Sequence, residues 1–163
     1  MKIGVIADTH GVVLSGVKEI FHGVDQIIHA GDVGAKCVIQ ELQGIAPVIA
    51  VSGNHEPEQI EGILPDPSMI ALAGHNILLT HRFVFAEWNV FKETAARFIR
   101  MADPMPRIVI FGHLHYSVNE DVHGVYFFNP GYAGADPYEP DPSVGLLEIN
   151  RDMIRGEIIP LKS

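Results

Sequence analysis

The sequence has one cysteine, few basic residues and no long apolar run. The single Cys37 excludes an internal disulfide and fits a reducing cytoplasm, the expected location. No histidine or cysteine ligand pattern surrounds it, so it reads as a small helix residue facing inward. No apolar stretch approaches the roughly 20 residues that cross a bilayer, so neither a transmembrane helix nor a membrane partner is expected. The opening run, Met1 to Asp8, is short, is broken by Asp8 and lacks a small-residue cleavage site, unlike a signal peptide. Lys and Arg number 11 against 20 Asp and Glu, a formal charge of −9. That disfavours long nucleic acids, which are bound chiefly through basic surfaces. Small anionic substrates stay open, because bound divalent metals reverse a local field.

What is present is a core-forming chain of 163 residues, 47% hydrophobic, with nine histidines. The expectation is one domain over 1–163. Apolar runs at 2–7, 26–30 and 47–51 read as buried strands. Helical spacing over 14–22 and 35–43 separates them, with Gly23 and Gly44 as stops. This β-α-β-α-β order gives parallel strands with right-handed crossovers, and sites in such sheets form at the C-terminal strand ends. A hairpin follows over 69–80, with His75 placed in its turn, then a helix over 87–101 and a strand over 107–111. Short strands at 117–122, 125–129, 144–150 and 154–160 read as antiparallel. Between them, 130–143 is a loop rich in Pro and Gly, a length that suggests function or mobility.

The strand ends carry the chemistry. Strand one ends in Asp8-Thr9-His10-Gly11, strand two in Gly31-Asp32, and strand three in Gly53-Asn54-His55-Glu56. The hairpin delivers His81, and the 107–111 strand ends in Gly112-His113-Leu114-His115. Any one of these could be a polar turn. Together they offer carboxylates, an amide oxygen and imidazoles without thiolates, a set that suits Mn, Fe, Zn, Ni or Mg. The donors are too many for one tetrahedral zinc and right for two metals sharing a bridging carboxylate.

In order and context, these residues resemble the five motifs of the calcineurin-like metallophosphoesterases, and the short chain looks most like the YfcE-type small phosphodiesterase group. The likeness runs from residue 4 to about 131 and includes Asn129-Pro130-Gly131. It implies an α/β fold: a metallophosphoesterase-type αβ sandwich, two packed mixed β-sheets flanked by helices. It also implies two divalent metal ions, Mn foremost, with Fe, Ni, Zn or Mg as alternatives. Asp8, His10, Asp32 and His115 would hold one ion. Asp32 would bridge to a second, completed by Asn54, His81 and His113. His55 would be the catalytic general acid, protonating the leaving oxygen after attack by a metal-bridging hydroxide.

The chain also departs from the family pattern. Val33-Gly34-Ala35-Lys36 stands where many relatives continue with Asp and Arg, which argues against the protein Ser/Thr phosphatase branch. Arg82-Phe83 stands where Gly-His often follows the fourth-motif histidine, and Tyr132-Ala133 where Ser is common. Arg82 reads equally as a phosphate contact or a surface arginine. Glu56 reads as solvated ahead of orienting His55. His29 reads as a satisfied core histidine, and His22, His75 and His123 as solvated. Phe83, Phe85, Trp88 and the 130–143 loop have two readings, a pocket lining or a contact in a homo-oligomer. The expected function is a metal-dependent phosphoesterase for small phosphodiesters, nucleotides among them. The alternatives are a phosphomonoesterase and, in another class, a non-catalytic protein-binding scaffold, for which a retromer-associated relative is the precedent.

Overall fold

The computed structural model describes residues 1–56, 60, 62–83 and 91–161. Its elements run β1 (Lys2–Ile6), α1 (Gly16–Ile20), β2 (Gln26–His29), α2 (Lys36–Gln43), β3 (Val48–Ala50), β4 (Ser68–Leu72), β5 (His75–Leu79), α3 (Phe91–Met101), β6 (Ile108–Ile110), β7 (Val118–Val122), β8 (Val125–Asn129), β9 (Ser143–Ile149) and β10 (Ile154–Pro160). Two five-stranded mixed sheets form, in the orders β10-β9-β1-β2-β3 and β4-β5-β6-β8-β7.

The expected parallel β1-β2-β3 unit is there, with Val5 opposite Ile28 and Ile28 opposite Ile49. The later strands differ from a simple antiparallel run. β7 and β8 pair antiparallel, but β8 lies parallel to β6, and β9 crosses back to pair with β1 in the other sheet. Hairpin patterning is local and cannot report which sheet a returning strand joins.

Strand alternation sorts the core into layers. Ile3, Val5 and Ile28 face Ile77, Ile108 and Phe128 between the sheets. On the outer face of the first sheet, Ile6 and Ile27 meet Val17 of α1, Phe21 directly after it, and Val38 and Leu42 of α2. On the outer face of the second, Val109 and Phe127 meet Phe91 and Ala95 of α3. Phe128 couples the sheets. Its ring fills the space where a Cβ at Gly145 or Gly156 would stand, 2.3 and 2.6 Å away. Full burial of such a ring contributes about 1.5–3 kcal/mol.

Three local expectations need correction. Cys37 is exposed, not inward. Val38, Ile39 and Leu42 define the buried arc of α2, and Cys37 falls outside it with exposed Glu41, one turn on. His75 is the first residue of β5, opposite Leu72, and its Nε2 lies 2.6 Å from the Asn150 carbonyl; the turn is Ala73-Gly74. α1 is shorter than 14–22. The helix expected from 87 is described from Phe91, so Glu87 to Val90, including Trp88, lie outside the described residues, as does Phe85. Among the described residues no helix is long and apolar enough to cross a membrane.

Candidate metal centre

The parallel strands β1, β2 and β3 end at one edge, where their loops bond to each other. The Asp8 amide donates to the Gly31 carbonyl and the His10 amide to the Asp32 carbonyl, both at 3.0 Å. The second sheet meets this edge through the ends of β5 and β6. The His113 amide donates to Asp8 Oδ2 at 3.0 Å, and the His81 amide to Asp66 Oδ1 at 2.8 Å. Asn129 joins from β8, donating from Nδ2 to the Gly112 carbonyl at 3.0 Å and accepting the Gly131 amide at 2.9 Å.

Backbone conformation at this edge is unusual. Among the described residues seven non-glycine residues have positive φ, and five of them are Asp8, His10, Asp32, His113 and His115. Left-handed backbone in such residues costs about 1 kcal/mol or more each, and its concentration in one place marks a functional site. Gly53 serves by having no side chain, since a Cβ there would stand 2.0 Å from Asp32 Oδ1.

Among the described residues two groups of donor atoms converge, each within 4.8 Å: Asp8, His10 and His115, and Asp8, Asp32 and His81. Asp8 is common to both. Asp32 also faces both ways, with Oδ2 4.0 Å from His10 Nε2 and Oδ1 3.4 Å from His81 Nε2. Asn54 Oδ1 lies 2.9 Å from His81 Nε2. The His113 ring is outside both groups but packs edge-on to His81, with centroids 5.1 Å apart.

The donor set fits a hard or borderline divalent cation. His81 gives the clearest evidence. Its Nδ1 is 3.0 Å from the Ala30 carbonyl and donates to it, so in the neutral ring Nε2 carries a lone pair. That lone pair faces Asn54 Oδ1 and Asp32 Oδ1, both acceptors, and a positive ion or a proton must satisfy the three. The local electrostatics agree. Burial opposes charge on His81, but the Asp32 hydrogen bond and the Asp8 charge outweigh it and raise its pKa. Burial likewise opposes ionisation of Asp32, yet His81 and the His55 amide hold its carboxyl well below the usual carboxylate range. His115 is pushed up to about 9, first by Asp8 and, against burial, by Glu139. His113 is lowered by burial and by the charges of His81 and Arg82.

His55 differs from its neighbours. Its amide donates to Asp32 Oδ1 at 2.8 Å, which fixes the backbone. Its exposed ring stands 5.7 Å from the His10 ring on the wall of a cavity of about 360 Å³. The same cavity is bounded by Tyr132, Asp136 and Glu139 from the 130–143 loop, so that loop belongs to the site. Arg82 is exposed on a separate apolar cavity and reaches the site through its charge on His113.

Several site residues were not foreseen. Glu56 is not merely solvated: its carboxylate accepts the amides of Val33 (2.9 Å), Gly34 (2.8 Å) and Gly53 (3.1 Å), tying the ends of β2 and β3 together. Its place directly after Asn54-His55 was the only available signal. His29 is buried, with Nε2 2.9 Å from Thr9 Oγ1, which itself donates to the Val33 carbonyl. Among the described residues Nδ1 of His29 has no hydrogen-bond partner, so this core histidine is half satisfied there. Burial, then the charge of His81, lower its pKa to about 3 and keep it neutral. Glu139 lies 24 residues from its partner His115, beyond any local pattern.

The fold and this edge define a metallophosphoesterase. Residues 1–152 match the calcineurin-like phosphoesterase superfamily domain, and the chain belongs to that family. A probable metallophosphoesterase of Methanothermobacter thermautotrophicus is 30% identical over 98% of this chain and 92% of its own length. A solved archaeal phosphodiesterase is 26% identical with a TM-score of 0.71, covering 98% of this chain and 100% of that one. Vps29 of Entamoeba histolytica, solved with Zn²⁺, is 25% identical with a TM-score of 0.75, covering 98% and 99%. The family is one of phosphate ester hydrolases that use divalent metals.

Proposed function

We propose that this protein is a metal-dependent phosphodiesterase acting on small phosphodiesters, nucleotides among the candidates, with His55 as general acid. The observation that carries the proposal is the pair of converging donor groups beside a cavity into which His55 projects a ring with no hydrogen-bonded partner among the described residues. Asp8, His10, Asp32 and His115 would hold one divalent ion, and Asp32, Asn54, His81 and His113 a second. Ions held there supply Lewis acidity, which activates water and neutralises charge on phosphoryl oxygens.

The chain's own groups supply the rest. The Ala30 carbonyl fixes the His81 ring, and Asp66 fixes its backbone. The Asp32 carboxylate, held ionised, orients His55 through its amide. His55 then gives its Nε2 or Nδ1 proton to the leaving alkoxide oxygen, a contribution of about 10²–10⁴ in rate. Tyr132, Asp136 and Glu139 line the cavity beside His55, and its volume of about 360 Å³ is the space offered to a small ester.

The test separates binding from proton transfer. Asp32→Ala should lose bound metal, measured by elemental analysis after reloading. His55→Ala should keep its metal and lose about 10²–10⁴ of the rate on an ester with a poor leaving group. Loss of a metal position in His55→Ala would show that His55 is a ligand and overturn the division of roles. A scaffold would show turnover in neither variant nor the parent.

A further inference from the structure

We infer that Glu139, on the 130–143 loop, is a positioning residue for His115, and that this loop completes the metal centre from outside the strand ends. The inference rests on the two-ion reading above. Glu139 Oε2 lies 2.6 Å from His115 Nδ1, a short charge-assisted contact. The opposite ring nitrogen, Nε2, points to Asp8 and stands 3.6 Å from its Oδ1. A carboxylate on one imidazole nitrogen fixes which nitrogen is offered to an ion and raises its basicity.

A second contact restrains the same ring. Tyr132, almost fully buried, packs on it with centroids 4.8 Å apart and planes tilted by 39°. The loop is built to hold both groups there. The Tyr132 hydroxyl accepts the Asp136 amide at 2.9 Å, and its carbonyl accepts the Ser143 amide at 2.7 Å. Ser143 Oγ donates to the Pro130 carbonyl at 2.6 Å, closing the base of the loop. Asp136 in turn accepts the Tyr138 amide through Oδ1 and the Glu139 amide through its carbonyl. Glu139 is therefore set by a chain of loop contacts that begins on the face of the residue it orients. His115 itself has a left-handed backbone, φ 56°, a conformation that persists only where surrounding contacts hold it.

Zn²⁺ titration of the metal-free full chain tests this, with Glu139→Ala, Glu139→Gln and, as a control on the same loop, Tyr138→Ala, whose side chain is 96% exposed. Glu139→Ala should weaken one of two binding steps by about 10–100-fold and leave the other unchanged. Glu139→Gln, which keeps an acceptor oxygen, should fall between alanine and wild type, and Tyr138→Ala should match wild type. In the Zn²⁺-loaded protein, the proton spectrum should show a slowly exchanging His115 Nδ1–H that is lost in Glu139→Ala. Equal affinities in wild type and Glu139→Ala, or equal weakening of both steps with a lowered melting temperature, would overturn the positioning role. If wild type binds no ion, the two-ion reading fails and takes this inference with it. If wild type binds two and Glu139→Ala matches it, the inference alone fails.

Discussion

Gly53→Ala adds one methyl group where the structure has no room for it. The new Cβ would stand 2.0 Å from Asp32 Oδ1, 2.1 Å from the Asp32 amide nitrogen and 2.8 Å from its Cα. Ordinary contact begins near 3.4 Å, so the two chain segments must part by about 1.4 Å. Two of the three clashing atoms are backbone, and the third is a candidate ligand, so no flexible side chain can yield. Overpacking of this kind costs typically about 1–3 kcal/mol, and we expect about 2. The functional effect should be larger, because ligand distances hold to about 0.2 Å and a 1 Å misplacement costs on the order of 10²-fold. Urea unfolding of the metal-free protein reads the first quantity, and metal content with hydrolysis rate reads the second. A Gly53→Ala protein with wild-type stability, two bound ions and full rate would refute the steric reasoning.

Other expectations follow from the same contacts. Glu56→Ala strands the amides of Val33, Gly34 and Gly53 and should lower stability by about 3 kcal/mol, since hydrogen bonds to charged groups contribute about 1.5–3 each and the exposed part can rehydrate; a loss under about 0.5 kcal/mol in urea would show that the clamp is unimportant. The metal-free protein should also be sensitive to alkali. His115 has a folded pKa of about 9, above its unfolded value of 6.5, so its stabilisation is complete below pH 6.5 and is lost as pH rises through about 9. Thermal melts across that window should show the midpoint falling, and a flat profile would contradict the Asp8–His115–Glu139 geometry. Metal uptake near pH 7 should release protons from His115 and His81, read as a buffer-dependent heat in calorimetry.

The legible part of this molecule was the part written locally. A β-strand announces itself by an apolar run, and a polar end to such a run stands out, which is why Asp8, Asp32, Asn54 and His81 are legible in the sequence. The β1-β2-β3 unit was legible for the same reason, with helix and strand periodicities alternating over short distances. What escaped was written in pairs far apart. Glu139 meets His115, Phe128 meets Gly145 and Gly156, and β9 returns to β1; none of these leaves a periodic trace. Cys37 lies outside the arc set by Val38, Ile39 and Leu42, and the lack of a ligand pattern around it carries no information on helical phase. Glu56 was read by type, as a charged residue after a turn, when its role lay in three amides on neighbouring loops. The resemblance to a family supplied the grouping of ligands, and the geometry added that Asp8, not only Asp32, reaches both donor groups.

The most direct test is hydrolysis itself. Purified protein, stripped of metal and reloaded with Mn²⁺, should cleave bis-para-nitrophenyl phosphate faster than para-nitrophenyl phosphate, and chelation should abolish both. Faster cleavage of the monoester would make this a phosphomonoesterase. No cleavage of either ester with Mn, Fe, Ni, Zn or Mg would contradict an enzymatic role for the centre that Asp8, Asp32 and His81 form.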